Sequence, residues 1–141
     1  MTKELERITL ATEAPAYNLQ AEAVWIGPDL LVYIWGGEAP HIGAVAMAQP
    51  RPSLADPRVT SATASVFTYL GHKEDELAKQ AAESLSAALE AKVVVSAGIH
   101  WDGLGPEDIQ TVVKNSRQLV ELLQQRLAKS RPAAGQERQN H

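Results

Sequence analysis

Leu30-Leu31-Val32-Tyr33-Ile34-Trp35 carries an apolar or aromatic side chain at every position. Successive residues of a strand point to opposite faces, so this run is apolar on both. That is the pattern of a strand in the middle of a sheet whose second face is also covered, by helices or by another subunit. Upstream, Asn18 to Ile26 sets Leu19, Ala21, Ala23 and Trp25 on one face, and Gly27-Pro28-Asp29 breaks the chain between the two runs. A hairpin is the simplest pairing.

Working outward, Arg7 to Glu13 alternates in part and reads as a strand, as does His41 to Gln49. Gln49-Pro50-Arg51-Pro52-Ser53 is expected to end the latter, because proline lacks the donor a ladder needs. A surface loop over 53–61 and a further strand over Thr63 to Leu70 follow. From Lys73 to Ala91, the residues Leu77, Ala81, Leu85, Ala88 and Leu89 recur at helical spacing. Glu74, Asp75 and Glu76 sit where the helix dipole favours negative charge. Lys92 to Ile99 is β-branched and extended. Gly105-Pro106-Glu107-Asp108 then opens a last helix whose inner face is Ile109, Val112, Val113, Ser116, Leu119, Val120, Leu123 and Leu127. The expected fold is α+β: a single domain with a mostly antiparallel β-sheet covered by two α-helices. Residues 1–128 form the domain, and residues 129–141, where apolar periodicity stops, form a disordered tail.

Composition narrows the function. A chain of 141 residues with 45% hydrophobic content fills one core and not two. A net charge of −4 with scattered basic residues lacks the attraction on which nucleic-acid or anionic-membrane binding depends. The absence of cysteine excludes disulfides, thiolate chemistry and the usual structural zinc site. With a charged start and no apolar run of membrane-spanning length, the expectation is a soluble, cytoplasmic protein.

Chemistry is concentrated in histidines flanked by glycine. Trp35-Gly36-Gly37-Glu38-Ala39-Pro40-His41-Ile42-Gly43 presents His41 from a turn, where it either meets a ligand or hydrogen-bonds its own turn. His72 and Lys73 precede the first helix. Backbone donors and a cation there suit a phosphate or carboxylate, and an exposed cap with a solvated lysine is the plainer alternative. In Ser96-Ala97-Gly98-Ile99-His100-Trp101-Asp102-Gly103, His100 shares its parity with Ser96 and Gly98, opposite Val95, Ala97 and Ile99. Glycine with histidine at two separate strand ends points to one hollow between them. His41, His72, His100 and a carboxylate such as Asp102 offer metal donors, but their spacing matches no local metal motif, and a small organic ligand is the preferred reading. No serine stands in a nucleophile elbow, and Gly36-Gly37 lacks the rest of a dinucleotide fingerprint. Trp25, Trp35 and Trp101 suit a core or a subunit contact, and Trp101 also suits a wall for a flat ring.

Taken in order, several segments resemble the prenylated-flavin chaperone family, the small LpdD-like subunits associated with gallate decarboxylase and other UbiD-type decarboxylases. They are Asp29-Leu30-Leu31-Val32 with Trp35-Gly36-Gly37, Pro40-His41-Ile42-Gly43-Ala44-Val45, Gly71-His72-Lys73-Glu74-Asp75, and Ser96 to Asp102 with Ile109. The resemblance runs from about Thr9 to about Leu127 and implies a non-catalytic carrier. Such a carrier binds reduced prenylated FMN made by a flavin prenyltransferase and delivers it to an apo-decarboxylase. By motif, the implied cofactor-binding residues are Gly36, Gly37, His41, Gly43, His72, Lys73, Gly98 and His100. Two other readings stand beside it. One is a small enzyme using His41 and His100 as acid and base on a pterin-like or aromatic substrate. The other is a structural accessory subunit docking through Trp35 and Trp101. A homo-oligomer is expected in view of the doubly apolar strand, with sites near protomer boundaries.

Overall fold

The computed structural model describes residues 4–69 and 74–132. Strands β2 (Leu19–Ile26) and β3 (Asp29–Gly37) form the expected hairpin, with Trp25 opposite Leu30 and Leu19 opposite Gly36. Gly27 takes a positive φ of 59° and proline's fixed φ follows it, the combination that a tight two-residue hairpin turn of the II′ kind requires. Strand β1 (Arg7–Ala11) adds to β2 antiparallel. The loop between them is braced by its own polar groups: Asn18 Nδ2 donates to Ala14 O, while Asn18 Oδ1 accepts from the Thr12 hydroxyl and from Ala14 N–H.

Strands β4 (Ala44–Pro52), β5 (Thr60–Thr68) and β6 (Val93–His100) complete one six-stranded sheet in the order β1-β2-β3-β6-β4-β5. Only the β3–β6 pair is parallel, so the sheet is mostly antiparallel and the fold α+β, as the sequence implies. Helices α1 (Asp75–Leu89) and α2 (Pro106–Ser130) lie on one face, α1 over β4, β5 and β6, and α2 beside α1 over β1 and β2. Alanine lets α1 sit close: Ala78, Ala81 and Ala82 of the helix and Ala44, Ala46 and Ala97 of the sheet are all fully buried. Leu85, Leu119, Leu123 and Leu127 fill the wider space between the helices and the sheet. Among the described residues, no helix is long and apolar enough to cross a membrane.

Three details differ from the sequence reading. Strand β4 continues through Pro50 and Pro52, paired with Ala62 and Thr60. Ser53 N–H donates to Val59 O at 2.8 Å, so odd positions of β4 bond to β5 and both prolines turn their nitrogens the other way. On that side β6 has already ended, its last pairing being Ala48 with Val93, and no donor is missed. Residues His41 to Gly43, read as the start of that strand, lie before it. Finally, Ile109 and Val113 of α2 are 51% and 43% exposed. The first turns of that helix rest on the β1–β2 loop, where buried Asn115 donates to Ala16 O and Tyr17 O, and not on the sheet. The helix itself runs through Lys129 to Ser130.

The order β3-β6-β4 has a topological consequence: the link from β3 to β4 must cross the end of β6. It crosses directly above Gly98, where a side chain's Cβ would fall inside the carbonyl group of His41. Replacing Gly98 with alanine is therefore expected to cost about 3 kcal/mol, the overpacking penalty of a site that cannot give way. The same change at Gly103, which has a φ of 67° but open space around it, is expected to cost only about 1 kcal/mol of backbone strain. Denaturant unfolding of both variants checks the difference, and equal losses would contradict the crossing.

Candidate functional site

Five of the six described candidate residues are gathered by this crossing, and the sixth, Gly36, lies in the strand beside it. Gly37 is the register partner of His100, and Glu38 N–H donates to His100 O at 2.8 Å. Gly37 has a φ of 91°, and any side chain there would strike the His100 carbonyl. Gly43 N–H donates to Ala97 O at 3.0 Å, locking the far end of the crossing onto β6. The close approach that these glycines permit is thus made by the chain's own backbone. Gly36 faces the helices, and its missing side chain leaves room for Leu19 and for the ring of Trp101. His72 and Lys73 lie outside the described residues.

His41 is set by two acceptors. Its Nδ1 lies 2.9 Å from Ala39 O within the turn, and its Nε2 is 2.8 Å from Glu74 Oε1. Both contacts hold the ring in place, one through its own turn and one through a carboxylate. Glu74 also accepts the Ile99 N–H at 3.3 Å, bridging the gap that opens between β6 and β4 beyond Ala97. Its side chain is only 12% exposed, and a substituent on Gly43 would collide with it. Glu74 is the residue of this candidate site that sequence reasoning missed. As the residue just before α1, it reads there only as a partner for the helix dipole.

His100 stands in a different setting. Its Nε2 pairs with Asp102 Oδ1 at 2.8 Å and its side chain is 49% exposed, on the face of the sheet away from the helices. The two imidazoles therefore share the crossing but answer to different carboxylates. The space next to them is an apolar cavity of about 280 Å³ bounded by Glu74, Leu77, Ile99, Leu104 and Val112, which neither ring lines. Beyond His100, Trp101 meets Tyr17 edge to face at 5.2 Å. Partial burial and a hydrogen bond to Asp108 raise the Tyr17 phenol above its ordinary value of 10.0. On the open face, Tyr33 stacks on Trp35 at 5.9 Å and its hydroxyl donates a hydrogen bond to Glu22, which, with burial, raises its titration above the ordinary value. Among the described residues, no three histidine or acidic side chains come together to hold a metal ion.

Two outcomes follow. Glu74→Ala leaves His41 Nε2 and the Ile99 N–H without their acceptor and is expected to cost about 1–3 kcal/mol in denaturant unfolding. Glu74→Gln keeps an acceptor for Ile99 and is expected to cost less. The Tyr17 phenol holds its proton more tightly folded than unfolded. Its contribution to stability is accordingly present below pH 10.0 and is lost as pH rises above it. Phenolate absorbance during an alkaline titration should show Asp108→Asn bringing one tyrosine back toward 10.0.

Comparison with known proteins agrees with this architecture. The family model of the prenylated flavin chaperone LpdD-like domain matches residues 13–128. Protein LpdD of Lactiplantibacillus plantarum is 28% identical over 122 residues, 82% of this chain and 85% of that protein. A chain in the crystal structure of a novel chaperone complex for yeast 20S proteasome assembly superimposes with a TM-score of 0.53, covering 87% of this chain and 98% of that one. At 13% identity that likeness is one of fold alone. The family match takes in β2 through β6, both Gly/His segments and nearly all of α2, and this chain belongs to the LpdD-like prenylated flavin chaperone family.

Proposed function

We propose that this protein is a homo-oligomeric carrier of reduced prenylated FMN, and that it receives the cofactor from a flavin prenyltransferase and hands it to a UbiD-type decarboxylase. The reading is carried by the family match over residues 13–128, which implies a flavin-related cofactor and favours a non-catalytic role. Gly36, Gly37, His41, Gly43, His72, Lys73, Gly98 and His100 are its proposed binding residues, His72 and Lys73 by motif alone.

The donor set suits the cofactor. Two imidazoles oriented by carboxylates can donate to flavin carbonyls or to phosphate, and the stacked Tyr33–Trp35 pair offers an aromatic flank beside them. Glu74 is added as the residue that positions His41. Gly37 and Gly98 serve the cofactor indirectly, by letting the crossing lie flat enough to bring both histidines to one sheet end. When bound, the reduced prenylated ring supplies the reactive group that a decarboxylase uses, and this chain's part is to hold and shield it. The family match weighs against the acid/base enzyme.

Anaerobic titration with reduced prenylated FMN is expected to saturate, with the flavin recovered chemically unchanged. His100→Ala should weaken binding roughly tenfold, a loss of about 1.4 kcal/mol. Flavin-loaded protein should restore activity to an apo-decarboxylase faster than free cofactor does. Absence of binding, or turnover of the flavin, would contradict the reading.

A further inference from the structure

The helices cover one face of the sheet, and the other is bare. Along β3, β6, β4 and β5 the bare face carries Leu31, Trp35, Val94, Val45, Met47 and Phe67, with Met47 62% and Phe67 64% exposed. Leu31 lies beside Val94 and Val94 beside Met47, with Val45 beside Phe67 one row along, and the small side chains of Ser96 and Ser65 complete those rows. Charge lies at the margins: Arg7 pairs with Glu22 at 3.4 Å at the β1–β2 edge, where Glu22 also accepts a hydrogen bond from the Tyr33 hydroxyl, Lys92 pairs with Asp29 at 3.6 Å beside Met47, and Arg51 bonds Thr63 toward the far end of β4. A contiguous apolar patch with a paired, polar rim is the anatomy of a buried interface.

We infer that this bare face is where two copies of the chain pack, sheet against sheet, into a sandwich with helices on both outer sides. Three observations select a second copy as the occupant. First, β3, which pairs in parallel with β6, carries apolar or aromatic side chains on both faces, and strands of that kind are stable when both faces are covered. Second, the face is the right size. Six strands about 4.8 Å apart and about 26 Å long present roughly 700 Å² each, or about 1,400 Å² for two copies, within the range of a stable specific interface. Third, no described element of the chain covers the face, and the stretch 133–141, Ala-Ala-Gly-Gln-Glu-Arg-Gln-Asn-His, is polar in composition. A face with an apolar centre and its charges at the margins can meet its own copy without burying an unpaired ion, as an isologous contact demands.

The inference gives a surface to the self-association proposed above and does not depend on the flavin. It places Trp35 and the exposed His100 at the edge of the sandwich, so that each copy closes over the other's candidate site. The test uses the full chain without cofactor. Light scattering after size exclusion is expected to give twice the 15.2 kDa chain mass. Met47→Lys with Phe67→Lys should remain folded by circular dichroism and shift the species to 15.2 kDa, or weaken dimerisation at least a hundredfold by sedimentation. Leu54→Lys, at a residue 92% exposed in the 53–59 loop, should leave the dimer intact. A wild-type monomer, or a dimer that the double variant leaves unchanged, would overturn the inference. Loss of flavin binding with the dimer retained would count against the carrier alone.

Discussion

Everything at the functional end of this protein depends on one backbone passing over another. The link between β3 and β4 crosses β6 at Gly98, with the His41 carbonyl occupying the space of the missing side chain. Hydrogen bonds fix the crossing on both sides, from Glu38 N–H to His100 O and from Gly43 N–H to Ala97 O. Because backbone groups cannot be left unpaired in such a place, the crossing has little freedom to shift. It therefore delivers His41 and His100 to the same end of the sheet, although 58 residues separate them in sequence.

Electrostatics then completes what the crossing begins. Glu74 fills the gap where β6 and β4 part and joins three elements: the crossing through His41, β6 through the Ile99 N–H, and the start of α1. A carboxylate with so little exposure is costly unless its acceptor capacity is used, and here the His41 ring and a backbone donor both approach it. His100 keeps a more exposed partner in Asp102. One imidazole is thus set within the crossing and the other stands nearer the surface, a division that suits the proposed carrier.

Much of the fold was legible in the sequence because strands and helices write their periods into it. The doubly apolar Leu30–Trp35 run marked the middle of the sheet, Gly27-Pro28 marked the hairpin, and the alternation about Gly98 placed His100 on the face opposite the core. The prolines of β4 misled because whether a missing donor matters depends on which strand lies beside it. That is settled by where β6 ends and not by Pro50 or Pro52 themselves. Ile109 and Val113 misled for a similar reason, since a helical stripe tells which side faces inward but not whether sheet or loop lies beneath it. At the site, glycine beside histidine marked a close approach of backbone to backbone, and the cavity beside it is lined by neither imidazole. What approaches was beyond reach, because only the strand order reveals that the neighbour is the chain's own backbone, and Glu74 could be recognised only once that gap was known.

The central claim is that the crossing brings His41 and His100 together to hold a reduced prenylated flavin. Nitrogen resonances of the two imidazoles, followed by NMR during anaerobic addition of the cofactor, test it most directly. The account predicts that both rings shift together and saturate at the same cofactor ratio. Resonances of both histidines that stay unmoved while the flavin binds elsewhere would contradict it.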